Sequence, residues 1–106
     1  MKHDPLRGEV WLADLGMAAK VRPVLVVSAP LDDEDFALIA VVPHTTSQHP
    51  SRYAVPLGLP GLKEGAFNVQ GIIAVASSKF IRRITVATSD HMMAIDHGLK
   101  RWLQLT

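Results

Sequence analysis

The sequence contains no cysteine among its 106 residues. Disulfide bonds and thiolate metal sites are therefore excluded. Long hydrophobic runs are also missing, since no stretch approaches the roughly 20 apolar residues of a membrane-spanning helix. The first residues lack the basic and apolar regions of a secretory signal peptide. These absences lead us to expect a cytoplasmic protein.

A large excess of charge is missing as well, because 11 Lys and Arg side chains face 10 Asp and Glu side chains. Proteins that coat nucleic acids are usually far more basic, since phosphate contacts dominate their binding. Any contact with nucleic acid must therefore use a local cluster of cations. Acidic residues are concentrated at residues 32–35, which we interpret as a solvated loop rather than a metal site.

The composition is that of a folded domain, with 48% hydrophobic and 20% charged residues. The length suits one compact domain, so we assign residues 1–106 to a single domain. The five histidines have neither the spacing nor the convergent partners of a zinc site. We therefore predict no metal and no other cofactor.

Short apolar runs separated by Gly, Pro and acidic turns predict a mainly β protein with little helix. Residues 79–84 are predicted to form a short basic connecting segment. A bend is expected at Gly71, in the last strand. The predicted strands cover residues 9–14, 23–28, 36–43, 52–57 and 66–75.

The C-terminal part predicts one helix. Thr88 or Ser89 is suited to cap its N terminus, and Asp90 complements the helix dipole in its first turn. The apolar residues that recur at helical spacing are Met92, Ile95, Leu99 and Trp102. Five short strands followed by one helix indicate a small, strongly bent sheet or barrel.

Two segments join an apolar run to a polar side chain that a core does not need. They are residues 22–27, RPVLVV, and residues 42–46, VPHTT. Arg22 begins the first run, and Thr45 follows the second. If the runs pair as antiparallel strands, the start of one lies beside the end of the other. This would place a permanent cation next to a hydroxyl group, an arrangement suited to a phosphodiester.

Each polar residue of these segments also has a structural interpretation. Arg22 suits charge stabilisation at phosphorus but is a poor base, because arginine side chains stay protonated; alternatively it forms a surface salt bridge. Thr45 suits a phosphate oxygen or a 2′-hydroxyl, or else it satisfies backbone groups at a strand end. His44 is the residue type expected for acid–base catalysis. Strand alternation, however, predicts that it points away from Thr45.

These segments resemble the MazF/PemK-type toxins of bacterial toxin–antitoxin pairs. Residues 7–11, RGEVW, are similar to the first strand of that family, and residues 99–105 are similar to its closing helix. The resemblance covers nearly the whole chain and implies an SH3-like small β-barrel with a C-terminal helix, usually a homodimer. It also implies a metal-independent endoribonuclease that cleaves single-stranded RNA to a 2′,3′-cyclic phosphate and a 5′-hydroxyl. The implied protein partner is a cognate antitoxin.

At the positions that match the family's motifs, the resemblance implies that Arg22 and Thr45 are the catalytic residues. We predict that further polar side chains line an RNA groove or contact a base. The structural alternative for each of them is an ordinary solvated side chain or a local backbone contact. The predicted RNA-binding residues are Thr46, Arg52, Gln70, Lys79 and Arg82.

The sequence departs from the family pattern in two places. Residues 16–21 form a shorter loop than in many members, and an acid–Gln pair with a nearby base is replaced around Gln70, Gly71 and Ile73. Two other functions therefore stay open. One is a non-enzymatic toxin that inhibits a protein target such as DNA gyrase, as the fold-related CcdB toxins do. The other is a degenerate module that only binds RNA or antitoxin.

Overall fold

A computed structural model describes residues 3–16 and 21–105. Within this part of the chain, seven β-strands form one antiparallel sheet, and one α-helix follows them. Short 3₁₀ turns at Val69–Gly71 and Ser77–Lys79 separate the last three strands. The elements are β1 (Glu9–Asp14), β2 (Val21–Val26), β3 (Leu38–Thr45), β4 (Ala54–Val55), β5 (Ala66–Asn68), β6 (Ile73–Ala76), β7 (Phe80–Val86) and α1 (Ser89–Leu103).

Strand β3 organises the sheet, because it pairs with three other strands. One of its edges pairs with β2. Along its other edge, the first half pairs with β6 and the last two residues pair with β5. The strand order is β4–β5–β3–β2–β1–β7, with β6 also beside β3. The expected mainly β fold with minor helix is confirmed, and the bent sheet resembles a small barrel that does not close.

Two apolar clusters bury the two faces of the sheet. Neighbouring residues of one strand enter different clusters, as Val41 and Val42 do in β3. This explains why the sequence reads as continuous apolar runs rather than as alternating ones. The cluster next to α1 includes Val10, Leu25, Val42, Phe67, Val69, Ile95 and Leu99. The cluster on the other face contains Trp11, Ala13, Val24, Val26, Ile39, Val41 and Val75.

Helix α1 begins where the sequence predicted. The Thr88 hydroxyl oxygen accepts a hydrogen bond from the His91 backbone N–H, and the His91 ring accepts one from the Thr88 N–H, both at 3.1 Å. This reciprocal capping box satisfies two backbone donors at the helix start. Gly98, which costs about 1 kcal/mol relative to Ala in a helix, lies where a Cβ would be 3.4 Å from Val69. The close approach of the helix to the sheet explains this glycine.

Three predicted elements differ from the structure. Residues 79–84 are not a connector, because β7 pairs along β1; two adjacent arginines had hidden the strand pattern. The strand expected at residues 52–57 contains only Ala54–Val55, ahead of Pro56. The strand expected at residues 66–75 is divided into β5 and β6 by a 3₁₀ turn. Asn68 starts this turn by accepting a hydrogen bond from the Gln70 N–H at 3.1 Å.

Glu9 is a buried carboxylate at the start of β1. It accepts hydrogen bonds from the Leu6 N–H at 2.8 Å, the Trp11 indole at 3.0 Å and the Arg83 guanidinium at 3.0 Å. Burial raises the pKa of Glu9, but these hydrogen bonds outweigh it, so the pKa lies below its ordinary value. Glu9 is therefore ionised at neutral pH and ties the start of β1 to the middle of β7.

We expect Glu9→Gln to lower the free energy of unfolding at pH 7 by about 1.5–3 kcal/mol, because hydrogen bonds to a charged group contribute this much. Because the pKa of Glu9 is lower in the folded protein than in the unfolded chain, its ionised form stabilises the fold at pH values above the unfolded-state pKa. For Glu that pKa is about 4.3. That contribution is lost as the pH falls through the folded-state pKa. Urea denaturation of the wild type and of Glu9→Gln should therefore show that their difference in free energy of unfolding becomes smaller between pH 7 and pH 3.

The matched control for this measurement is Glu34→Gln, which changes an exposed side chain in the acidic turn. It should alter the free energy of unfolding by less than about 0.5 kcal/mol. An equal loss in both variants would contradict the role of Glu9, as would a difference that grows on acidification.

Candidate functional site

The register of β2 and β3 places Arg22 and Thr45 on the same face of the sheet. Val24 pairs with Pro43, and continuing this register by two residues brings Arg22 opposite Thr45. Side chains at directly opposite positions have Cβ atoms about 4.5–5.5 Å apart. The predicted antiparallel pairing of the two runs is thus confirmed, while the catalytic roles of Arg22 and Thr45 stay predictions.

A cavity of about 190 Å³ opens between these strand ends, and we call it the Arg22 cavity. Among residues 3–16 and 21–105, no ion pair includes Arg22. Nothing in this part of the chain therefore neutralises the guanidinium, and the salt-bridge alternative is not observed there. The cavity is lined by Val21, Arg22, Pro23, His44, Thr45 and Thr46, without a carboxylate from the described residues.

The Thr45 hydroxyl has both a structural contact and an unused donor. Its oxygen accepts a hydrogen bond from the Ser47 N–H at 3.1 Å, as the structural alternative requires. Because a hydroxyl group also carries one proton to donate, this contact leaves Thr45 able to bind an acceptor. The next turn repeats the pattern, since the Ser47 hydroxyl accepts from the His49 N–H at 3.2 Å. These two contacts hold the backbone that follows β3 through its own hydroxyl side chains.

A second cavity of about 150 Å³ lies on the other side of Thr45, and we call it the Gln70 cavity. It contains Gln70, one of the predicted RNA-binding residues, at the 3₁₀ turn between β5 and β6. His49 also lines it, which the sequence analysis had considered only as a metal ligand. The full lining is Thr45, Ser47, His49, Ser51, Ala54, Asn68 and Gln70. Thr45 therefore belongs to two adjoining cavities.

His44 lies on the opposite face of β3 from Thr45, as strand alternation predicted. Its side chain is buried, with its ring 5.1 Å from that of Phe67 in an edge-on arrangement. Burial lowers the pKa of His44 and the Arg22 cation lowers it further, while a backbone contact to Lys63 opposes both effects. At neutral pH the imidazole is therefore uncharged. Its Nε2 atom has no hydrogen-bond partner among the described residues.

The loop over residues 58–65 covers the end of β3 because position 65 is a glycine. A Cβ at Gly65 would lie 2.3 Å from the Thr45 carbonyl oxygen and 3.0 Å from Cε1 of His44. Real Cβ atoms do not approach a carbonyl oxygen so closely. The close approach at Gly65 thus fixes the loop on His44 and Thr45, which both line the Arg22 cavity.

A third cavity of about 320 Å³ lies on the His44 side, and we call it the Arg82 cavity. It adjoins the Arg22 cavity, because Pro23, His44 and Thr46 line both. The sequence predicts a role for Arg82 but gives no signal for Lys63, which reaches the cavity from the loop. The residues that line it are Leu12, Pro23, His44, Thr46, Gly61, Leu62, Lys63, Arg82 and Ile84.

Three of the five predicted RNA-binding residues line these connected cavities: Thr46, Gln70 and Arg82. The other two lie elsewhere. Arg52 has its guanidinium carbon 4.8 Å from the centre of the Tyr53 ring, which in turn faces Trp102. Lys79 lines a separate cavity that includes Asp14 and Ile73.

Three further observations concern metal binding, membrane spans and the loop before Arg22. Within the described residues, no three His, Asp or Glu side chains converge in a geometry that would hold a metal ion. In the same ranges, no helix has the length and hydropathy to cross a membrane. Residues 17–20, in the loop expected to be short before Arg22, lie outside the described residues.

A family model and several solved structures match this chain over most of its length. A family model described as the PemK-like, MazF-like toxin of type II toxin–antitoxin systems matches residues 6–103. An endoribonuclease from a Mycobacterial species, solved with its cognate antitoxin, shares 26% identity over 96% of this chain and 97% of that one, with a TM-score of 0.82.

Two further structures support the fold. An endoribonuclease from a Mycobacterial species shares 24% identity over 98% of this chain and 95% of that chain, with a TM-score of 0.79. A MazE–MazF complex from Deinococcus radiodurans shares 17% identity over 98% and 100%, with a TM-score of 0.80. These alignments span nearly the full length of both chains in each pair.

The electrostatic effect of Arg22 on His44 is testable by NMR titration of the histidine ring signals. We expect the His44 pKa to lie below that of an ordinary histidine. Arg22→Gln should raise it, because the substitution removes a cation that disfavours the imidazolium. Arg52→Gln, which changes a cation stacked on Tyr53, should leave it unchanged. A His44 pKa that Arg22→Gln leaves unaltered would contradict this electrostatic coupling.

The close approach at Gly65 predicts that Gly65→Ala destabilises the fold by about 1–3 kcal/mol, as overpacking commonly does. Gly58→Ala is the matched control, because nothing lies within 4 Å of a Cβ there. Urea denaturation gives the stabilities, and the NMR signals of His44 and Thr45 report on the strand end. The described packing would be contradicted if Gly65→Ala and Gly58→Ala changed the free energy of unfolding equally. It would also be contradicted if the His44 signals did not shift in Gly65→Ala.

Proposed function

Because the chain belongs to the family of PemK-like, MazF-like toxins of type II toxin–antitoxin systems, we propose that it is an endoribonuclease toxin that cleaves single-stranded RNA. Two solved relatives are named endoribonucleases, and one of them is bound to its cognate antitoxin. On this chain, the observation that carries the proposal is the position of Arg22 opposite Thr45, in a cavity without a carboxylate.

The proposed reaction is an internal transesterification. The ribose 2′-oxygen attacks the adjacent phosphorus and loses its proton, and an O2′–P bond forms. The P–O5′ bond breaks, and the leaving 5′-oxygen takes up a proton. The products are a 2′,3′-cyclic phosphate and a 5′-hydroxyl. This chemistry requires the 2′-hydroxyl, so the substrate is RNA rather than DNA.

Arg22 has the electrostatic role in this reaction. Negative charge grows on the nonbridging oxygens as the phosphorane forms, and a planar guanidinium donates two parallel hydrogen bonds to such oxygens. The carboxylate-free lining of the cavity leaves these donors available for phosphate. Because arginine stays protonated in proteins, we assign Arg22 to charge stabilisation and not to proton abstraction.

Thr45 positions the reacting group. Its hydroxyl oxygen accepts from the Ser47 N–H, and its proton remains available for donation at the lining of the Arg22 cavity. From there the hydroxyl donates to a nonbridging oxygen or to the 2′-oxygen. Thr46 lies at the junction of the Arg22 and Arg82 cavities and is proposed to contact the same stretch of RNA.

Family membership also supports the proposed partners. The toxin is expected to act on mRNA in the cytoplasm, as a homodimer, and to be neutralised by a cognate antitoxin. Exposed apolar side chains offer a surface for such protein contacts, among them Phe36, Leu38 and Ile73.

The test is cleavage of a long single-stranded RNA by the purified protein in EDTA. We expect cuts at short sequence motifs with cyclic phosphate ends. Arg22→Ala should reduce the rate about 10²–10³-fold, as the loss of a charge-stabilising donor does, and Thr45→Ala should reduce it about tenfold or more. Lys100→Ala, which removes an exposed cation from α1, should cleave at the wild-type rate.

Three outcomes would contradict the proposal. A folded wild-type protein that cuts none of several varied RNAs is not this enzyme, and the gyrase-type or binding-only function would then be favoured. Cleavage only in the presence of added divalent metal would exclude the metal-independent reaction. Full activity in Arg22→Ala would remove Arg22 from the active site.

A further inference from the structure

The Arg82 cavity has no part in the reaction described above, although it opens directly beside the proposed phosphate site. Pro23, His44 and Thr46 line both cavities. The volume of about 320 Å³ falls within the range of small-ligand sites, about 300–1,000 Å³. A group attached to a phosphate in the Arg22 cavity therefore has a place to bind within one nucleotide.

Paired strands form the floor of this cavity, so the floor is rigid. Leu12 of β1 pairs with Pro23 of β2 on one side and with Arg82 of β7 on the other. Ile84 adds a second apolar side chain from β7. The cavity thus presents an apolar surface with a cation beside it, held by backbone hydrogen bonds between three strands.

The loop over residues 58–65 forms the facing wall. Gly61 has a φ of +82°, and a Cβ there would lie 3.1 Å from Cγ2 of Ile84. Glycine therefore allows the loop to approach the floor closely. This approach brings Lys63 to the cavity, opposite the strand that carries Arg82. The distance between floor and wall is set by the close approach of the Gly61 backbone to the Ile84 side chain.

The chemistry of the lining fits a nucleobase. A base has two flat apolar faces, which suit Leu12, Pro23 and Ile84, and polar edges, which suit side-chain donors. The charged side chains that line the cavity are Lys63 and Arg82, both donors only. Arg and Lys pair best with carbonyl and ring-nitrogen acceptors such as O6 and N7 of guanine. No Asp, Glu, Asn or Gln of the described residues lines the cavity, so the side chains there that can accept from an amino group are Thr46 and the uncharged His44. The charged donors therefore outweigh the acceptors by charge.

We propose that the Arg82 cavity is a nucleobase subsite that receives the base next to the cleaved phosphodiester, with guanine or uracil preferred over adenine. The Lys63 ammonium and the Arg82 guanidinium bind carbonyl oxygens of the base. Thr46 lies at the boundary between base and phosphate. This assignment rests on the proposed RNA cleavage, but the subsite is also measurable as a binding site without it.

The cleavage test uses an RNA library with randomised nucleotides on both sides of the cut. Wild type should enrich guanine or uracil over adenine at one flanking position. Arg82→Ala should reduce that preference roughly tenfold, the effect of losing one good base contact, and should leave preferences at other positions intact. Lys63→Ala should weaken the same position. Lys100→Ala, the charge-matched control on α1, should leave the whole profile unchanged.

A binding test separates the subsite from the catalytic proposal. Short oligonucleotides with 2′-deoxyribose at the cut position cannot be cleaved, so binding alone is observed. Oligonucleotides with guanine or uracil at the flanking position should shift the NMR methyl signals of Leu12 and Ile84, and adenine at that position should shift them less. Arg82→Ala should remove this difference.

Two results would overturn the subsite. One is an Arg82→Ala enzyme whose rate falls equally for all sequences, because a uniform loss marks a phosphate contact and not a base contact. The other is an absence of base-dependent shifts at Leu12 and Ile84 in the wild-type protein. If wild type fails to cleave RNA but shows the base-dependent shifts, the catalytic proposal fails and the base-binding site stands.

Discussion

The pairing register of β2 with β3 is the constraint on which the candidate site depends. A slip of one residue would move every side chain of one strand to the other face, which would put Arg22 and Thr45 on opposite sides of the sheet. Such a slip is unfavourable because both faces are buried. Val24 and Leu25 enter different apolar clusters, so the slip would disturb both clusters together. The same burial that stabilises the fold thus aligns the two polar side chains.

Polar contacts outside the cavities join the end of β2 to the residues before β1, to the end of β7 and to the helix. Arg7 donates a hydrogen bond to the Val27 carbonyl oxygen and forms an ion pair with Asp96 of α1. Gly8, at a φ of +92°, donates from its N–H to the Val26 carbonyl oxygen at 2.9 Å and accepts from the Ala87 N–H at 2.8 Å. The residues around the start of β1 therefore join β2, β7 and the helix. These residues, which resemble a family motif, therefore have a structural role in this chain.

The elements that could be predicted from the sequence are those with local signals. The capping box at Thr88 and the apolar runs of β1, β2 and β3 need no knowledge of distant residues. Strand β7 was missed because Arg82 and Arg83 interrupt its apolar pattern, and only the structure reveals that Arg83 donates to Glu9 across the sheet. Propensity cannot anticipate a charge that is paired in this way.

The candidate site was predictable to a similar extent. Arg22 and Thr45 stand at the ends of recognisable strands, so their proximity followed from antiparallel pairing. Lys63 carried no such signal, because its position depends on how closely two glycines allow a loop to approach β3 and β7. Arg52 and Lys79 illustrate the opposite problem. A basic residue in the sequence gives its charge but not its location, and these two lie outside the connected cavities.

The end of β3 shows how alternation along one strand produces two different environments. His44 and Thr45 point to opposite faces. His44 is buried beneath the loop and lines the Arg82 cavity, Thr45 lines the Gln70 cavity, and both border the Arg22 cavity. An RNA strand that places a phosphate at Arg22 and a base at Arg82 must therefore bend over the end of β3. Single-stranded RNA can splay its bases apart in this way, whereas the stacked bases of an A-form duplex cannot. The proposed placement of a phosphate at Arg22 and a base at Arg82 therefore favours a single-stranded substrate.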